Sequence, residues 1–191
     1  KLFQIGFQLR PYFYLNDKYI IWDEIRKDAR FAKQTYSILR TYDLKSGKIR
    51  NISKNSRFYS PIIDSNSKYA YAVQIDHSNA SSLIKIDLES KEVSEVFKMM
   101  DGSLLQQPSL NLENNKIVLI NIAQKGNNLL EIDLSSGDFK YLLPNSNQEF
   151  ERPIYTGQQI VFRAQIQSIN NLFQLDPTTG NLVQITQAPI G

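Results

Sequence analysis

Asp23 and Glu24 are adjacent carboxylates next to the single tryptophan, Trp22. Two acids act as general acid and base when a pocket drives their pKa values apart. Neighbours on a strand point to opposite faces, so these two are not expected to meet at one reacting atom. The stretch they open, DEIRKDARFAK, brings Asp23, Glu24, Arg26, Lys27, Asp28, Arg30 and Lys33 into one segment. Interleaved charges of this kind suit a docking loop for a protein or peptide. The partner-binding candidates are Asp23, Glu24, Arg26, Asp28 and Arg30. The same residues would also make a solvated hairpin whose surface ion pairs contribute little. His77 stands alone in IDHSNASS, a context that suits a solvated loop better than a catalytic role. The turns DSNS and PNSN offer oxygen atoms to calcium, but without a cluster of acids they read as ordinary Asn/Ser turn chemistry.

Composition closes several routes. With no cysteine there is no thiol catalysis, thiolate metal site or disulfide, and one histidine excludes a multi-histidine metal centre within the chain. No serine lies in a G-x-S-x-G elbow. No catalytic residue, cofactor or metal is assigned. The net charge of +3 is a small excess of 22 basic over 19 acidic residues, without the one-sided basic patch of a nucleic-acid binder. No run approaches the roughly 18 apolar residues of a membrane span.

The elements that must position these residues form a repeat. Asp43, Asp87, Asp133 and Asp176 each open a turn, at intervals of 44, 46 and 43 residues. A leucine precedes each by four positions, and Tyr42, Ile86, Ile132 or Leu175 precedes it by one. This alternation is strand periodicity with one face buried. An aspartate at the first turn position accepts hydrogen bonds from the amides just ahead. Gly47, Gly137 and Gly180 follow four residues on, where a left-handed residue closes the loop. Lys91 occupies that place in the second unit and is expected to carry roughly 1 kcal/mol of strain there. A second landmark, Pro11, Pro61, Pro108 and Pro153, precedes a polar turn and an apolar strand in each unit. Four antiparallel strands in about 45 residues is the size of a β-propeller blade. A β-sandwich does not require such repetition, and solenoid coils are shorter.

SPIIDSNSKYAYAV followed by LIKIDLES resembles the TolB-like (PD40) β-propeller repeat: Pro61 to Lys68, Tyr69 to Val73, and Leu83 to Ser90 match its proline-turn-strand and strand-Asp-turn portions. VQITQAPIG from Val183 resembles that family's link into a following blade. The family's Trp-Ser-Pro-Asp-Gly core is reduced here to IIDSNSK, LNLENNK and IYTGQQ. Such repeats also occur in propeller domains of prolyl-oligopeptidase-type peptidases and in large envelope-associated proteins. The resemblance therefore implies a fold more than a function.

The expected fold is all-β, a β-propeller of four-stranded antiparallel blades at roughly 1–53, 54–97, 98–143 and 144–187. Four blades are expected here as part of a six- to eight-bladed parent; in a closed four-bladed ring, KLFQIGFQL would complete the last blade as an extra strand. Blade one carries the charged insertion. From Trp22 to Asp43 is 21 residues, against 14 from Val73 to Asp87 and 13 from Ile120 to Asp133. Its aromatics, Tyr12, Phe13, Tyr14, Tyr19, Trp22, Phe31 and Tyr36, are expected mainly in the core. Arg40 stands where other blades place Ile84, Leu130 and Phe173, which suggests a surface or a wet channel. The expected function is a non-catalytic binding or scaffolding module for a protein or peptide, in a larger periplasmic or cell-envelope protein. The alternative is the substrate-gating propeller of a peptidase or hydrolase whose catalytic domain lies elsewhere. Neither nucleic acid nor direct membrane insertion is expected.

Overall fold

A computed structural model describes residues 3–8, 11–31, 34–111 and 115–189. Sixteen strands among them form four antiparallel four-stranded sheets, each built from strands consecutive in sequence. Blade one is β1 (Phe13–Leu15), β2 (Tyr19–Lys27), β3 (Thr35–Asp43) and β4 (Ile49–Asn51). Blade two is β5 (Phe58–Ile63), β6 (Tyr69–Ile75), β7 (Ser81–Asp87) and β8 (Val93–Lys98). Blade three is β9 (Leu104–Asn111), β10 (Lys116–Ala123), β11 (Gly126–Asp133) and β12 (Phe139–Tyr141). Blade four is β13 (Phe150–Thr156), β14 (Gln159–Ile166), β15 (Ile169–Leu175) and β16 (Leu182–Gln184). The chain divides into two compact units, Lys1–Val96 and Phe97–Gly191.

The four aspartate turns are built alike. Asp43 Oδ1 accepts from the amides of Lys45 and Ser46, Asp87 Oδ1 from Glu89 and Ser90, Asp133 Oδ1 from Ser135 and Ser136, and Asp176 Oδ1 from Thr178 and Thr179. These bonds hold all four carboxyls below the usual aspartate range, with the Ser135 hydroxyl leading at Asp133. Four residues on, the backbone is left-handed each time, with φ of 67°, 64°, 78° and 75° at Gly47, Lys91, Gly137 and Gly180. Lys91 thus keeps the repeat geometry at the cost expected from its Cβ. Lys91→Gly should raise the stability of the first unit by about 1 kcal/mol, read by chemical denaturation.

In blades two to four the proline landmark is a bulge inside the first strand, whereas Pro11 precedes β1. The ladder shifts between Tyr59 and Ile62, between the partners of Val118 and Ile120, and between Glu151 and Ile154. Ser60, Gln107 and Arg152, each just before the proline, have φ near +50° (51°, 51° and 49°). Proline lacks a ladder donor and is tolerated at such irregularities.

Each unit has its own core. In the first, Ile21 and Leu39 pack with Ile63, Ala70, Ala72, Ile84 and Ile86, so bulky side chains of blade one meet two alanines of blade two. In the second, Val118, Ile120 and Leu129 pack on Phe150, Phe162 and Phe173. Phe162 meets Phe150 edge-on at 5.6 Å and stacks on Phe173 at 6.0 Å. The blade-one aromatics divide. Trp22 is fully buried and Tyr14 and Tyr19 pack against the core, whereas Phe13 and Phe31 are exposed. Residues Phe3 to Gln8 carry no strand. They lie against blade one, with the Ile25 amide donating to the Phe7 carbonyl (2.8 Å) and Phe3 stacked on Trp22 and Tyr42 (4.9 and 4.6 Å).

Candidate functional site

The blade-one insertion is spent partly on strand and partly on loop. β2 and β3 are nine residues each, against seven in β6 and β7. Beyond them the Asp28 amide donates to the Gln34 carbonyl, and Asp28 Oδ1 caps the loop through the amides of Arg30 and Phe31 (2.8 and 3.1 Å). Arg26, Arg30 and Phe31 are exposed at this hairpin end. The Arg30 guanidinium sits over the Phe31 ring at 5.8 Å. Lys33 lies outside the described residues.

Two of the five partner-binding candidates do not belong to that loop. Asp23 and Glu24 sit in the buried part of β2, 5% and 0% exposed. They point to opposite faces, as strand geometry requires. Glu24 Oε1 accepts from the Trp22 indole (2.9 Å), the Gly6 amide (3.1 Å) and Arg40 Nη1 (3.1 Å), and Oε2 accepts from Arg26 Nη2 (2.7 Å). Gly6 comes so close that a Cβ there would stand 2.7 Å from Glu24 Oε2. Burial alone would raise this carboxyl, but the hydrogen bonds from Trp22, Gly6 and Arg40 and the Arg40 charge outweigh that and hold it below the usual range. Asp23 faces blade two, where Oδ1 accepts the Ser60 amide at 3.3 Å, with its own backbone amide as a second, lesser donor. Burial dominates and pushes it up to about 6. Arg40, expected at a surface or a wet channel, has a side chain 27% exposed. It is the counter-ion of Glu24, and its strand partner across the ladder is Trp22.

Blade three has its own buried acid that the sequence did not single out. Glu131 accepts from Tyr155 Oη at 2.8 Å and pairs with Lys140 (3.0 Å) and Lys116 (3.6 Å). The aspartate turn located Glu131, but nothing in the sequence paired it with a blade-four tyrosine. In the first unit, His77 is exposed on the rim of a groove of about 600 Å³ along the link from blade one to blade two. Lys54, Arg57 and Lys91 line it, and Arg57 is tied down through the Asp76 carbonyl (2.8 Å).

No protein-family model matches the sequence, and no curated protein matches it. Its fold does match solved structures. TolB from Acinetobacter baumannii superposes with a TM-score of 0.68 at 15% identity, over 79% of this chain and 38% of TolB. The β-propeller domain of the Trilobed protease from Pyrococcus furiosus, described as having an open velcro topology, gives 0.63 at 11% identity, over 92% and 57%. Acylaminoacyl peptidase from Pyrococcus horikoshii gives 0.65 at 9% identity, over 92% and 32%. The chain spans about a third to three-fifths of the length of these structures. The likeness, with four sheets of sequence-consecutive strands, shows that the fold is a β-propeller, here of four blades.

Proposed function

We propose that this chain is a non-catalytic binding or scaffolding module for a protein or peptide partner, and a segment of a larger extracytoplasmic, cell-envelope bacterial protein. The blade-one hairpin carries this reading. It extends past the length of the other blades, is fixed at its root by the Glu24 hydrogen bonds, and displays Arg26, Asp28, Arg30 and the exposed Phe31 at its end. Arginine beside an exposed aromatic is the composition of an interface anchor. Asp23 and Glu24 belong to its foundation and not to its contact surface.

The test uses Arg30→Glu with Phe31→Ser, because Arg26 also touches Glu24. The partner is captured from envelope extract of the source cells, identified, purified and titrated against both forms. The double variant should bind at least about thirtyfold more weakly, the scale of one interface hot spot, with an unchanged melting curve. Equal affinity would sink the hairpin as the docking surface.

A second reading, the substrate-gating propeller of a peptidase, is supported by the likeness to the Trilobed protease propeller and to acylaminoacyl peptidase, both longer than this chain. A Ser-Asp-His hydrolase domain or a zinc motif in the adjoining coding sequence would favour it.

A further inference from the structure

The β2–β3 register places Glu24 in blade one at the position of Asn121 in blade three and Ala164 in blade four. The same alignment sets Arg26 against Ala123 and Arg40 against Leu130. Blade three thus keeps a buried polar side chain but has lost both cations that answer it in blade one. Asn121 is 1% exposed, and neither its Nδ2 nor its Oδ1 has a hydrogen-bond partner among the described residues. Across the ladder, Asn128 is 2% exposed; its Nδ2 donates to Asn145 Oδ1 (2.5 Å), but its own Oδ1 is unpaired. Both asparagines line a cavity of about 470 Å³, with Asp101, Lys125 and Tyr141 also on its wall. Buried polar groups are nearly always satisfied, and each one left unpaired destabilises the fold.

We propose that this cavity is a peptide site, in which Asn121 takes the N–H and C=O of one residue of an extended segment. It rests on the binding-module reading for the source of that segment, a partner polypeptide. A free carboxamide presents one acceptor and donors side by side. One residue of an extended chain presents its N–H and C=O to the same side, as in a sheet ladder. A single group of this kind answers both free atoms of Asn121 at once, which neither a lone cation nor a lone anion does. The Asn128 oxygen accepts the next donor. The volume suits a few residues and not an isolated amide. Leu143 and Pro144 add an apolar wall for flanking side chains, and the exposed Gln124 and Lys125 stand at the rim.

The test is a titration of the ¹⁵N-labelled chain with N-acetylglycine N-methylamide, which carries one residue's N–H and C=O, and separately with acetamide. The Asn121 and Asn128 side-chain amide signals are assigned from the spectra of Asn121→Leu and Asn128→Leu. The backbone probe should shift them saturably. Asn121→Leu should weaken its binding at least about tenfold, one hydrogen bond's worth. Ala123→Arg, which restores blade one's filling of the space, should block it even if Asn121→Leu fails to fold. No saturable shift, an equal shift in Ala123→Arg, or a response to acetamide alone would overturn the proposal. The readout needs no partner. A chain that takes the probe yet captures no protein would retire the binding-module reading alone, and one that captures its partner but ignores the probe would retire this site alone.

Discussion

Glu24→Leu destabilises the first unit by about 3–5 kcal/mol, the scale for removing one member of a buried ion pair. The cost is the set of groups left behind. The Trp22 indole and the Gly6 amide lose their acceptor, and Arg40, with a side chain only 27% exposed, keeps a charge with no anion beside it. Arg26, 48% exposed, turns to solvent at little cost. Glu24→Gln keeps an acceptor for the indole and the amide and should lose roughly half as much. Glu24→Leu with Arg40→Leu should recover most of the loss, because an apolar pair of suitable volume replaces a buried ion pair with little penalty. Blade four is the natural precedent: at those two positions it holds Ala164 and Phe173, both in the core. Urea denaturation followed by the fluorescence of the single tryptophan reads all three variants. A loss below 1 kcal/mol for Glu24→Leu, or no recovery in the double variant, would show that the network does not brace the hairpin root.

The parts of this molecule that repeat were legible in its sequence, because each repeat obeys local chemistry. The Asp43, Asp87, Asp133 and Asp176 turns need only an aspartate and a residue that tolerates positive φ four places on. Lys91 was recognisable as the strained exception, and KEVSEVFKMM as β8 despite its helical composition. The proline landmark was found, but its meaning was not. A bulge that puts Ser60, Gln107 and Arg152 at positive φ is set by pairing with the next strand, which a one-dimensional reading does not contain. The insertion in blade one was visible as a length difference. Its division was not, because charge pattern alone places Asp23 and Glu24 with Arg26 and Asp28. β2 runs on to Lys27, two residues beyond β6 in register, and buries Asp23 and Glu24 while Arg26 is exposed. One signal could have corrected this. Arg40, out of place in an apolar column, lies opposite Trp22 and diagonal to Glu24, a distance at which cross-strand charges pair. Asn121 gave no such signal. Its significance lies in the arginines that blade three lacks, and appears only once the blades are aligned by register.

Asp23→Asn has the second-largest expected effect, opposite in sign to that of Glu24→Leu and dependent on pH. The Asp23 carboxyl is pushed up to about 6, first by burial, with the Ser60 amide pulling the other way. In the unfolded chain an aspartate titrates near 4. Well below that pH both states hold the proton and Asp23 costs nothing. Between about 4 and 6 the unfolded chain releases its proton while the folded chain keeps it, so stability falls as pH rises. Above about 6 the folded chain carries a buried anion that its backbone amide contacts do not fully answer, and the full cost, about 3 kcal/mol, is present. Asparagine keeps an oxygen for the Ser60 amide and has no proton to lose. Asp23→Asn should therefore match the parent near pH 3.5 and exceed it by about 2–3 kcal/mol at pH 7, with the difference growing through the interval between. Glu24 works against this slope at lower pH. Held below the usual range, it contributes stability that is present above the pKa of an unfolded glutamate and disappears as pH falls through its own. The parent thus loses stability on the acid side as Glu24 and the turn aspartates, Asp43 and Asp87 in the first unit, take up protons, and above about pH 4 as Asp23 is called on to ionise. Asp23→Asn should remove the second loss and leave the first in place. Denaturation midpoints of parent and variant across pH 3.5–7.5 decide it. A constant difference at every pH would mean that the Asp23 carboxyl titrates in the folded protein where it does in the unfolded chain, so that its amide contacts offset the whole effect of burial.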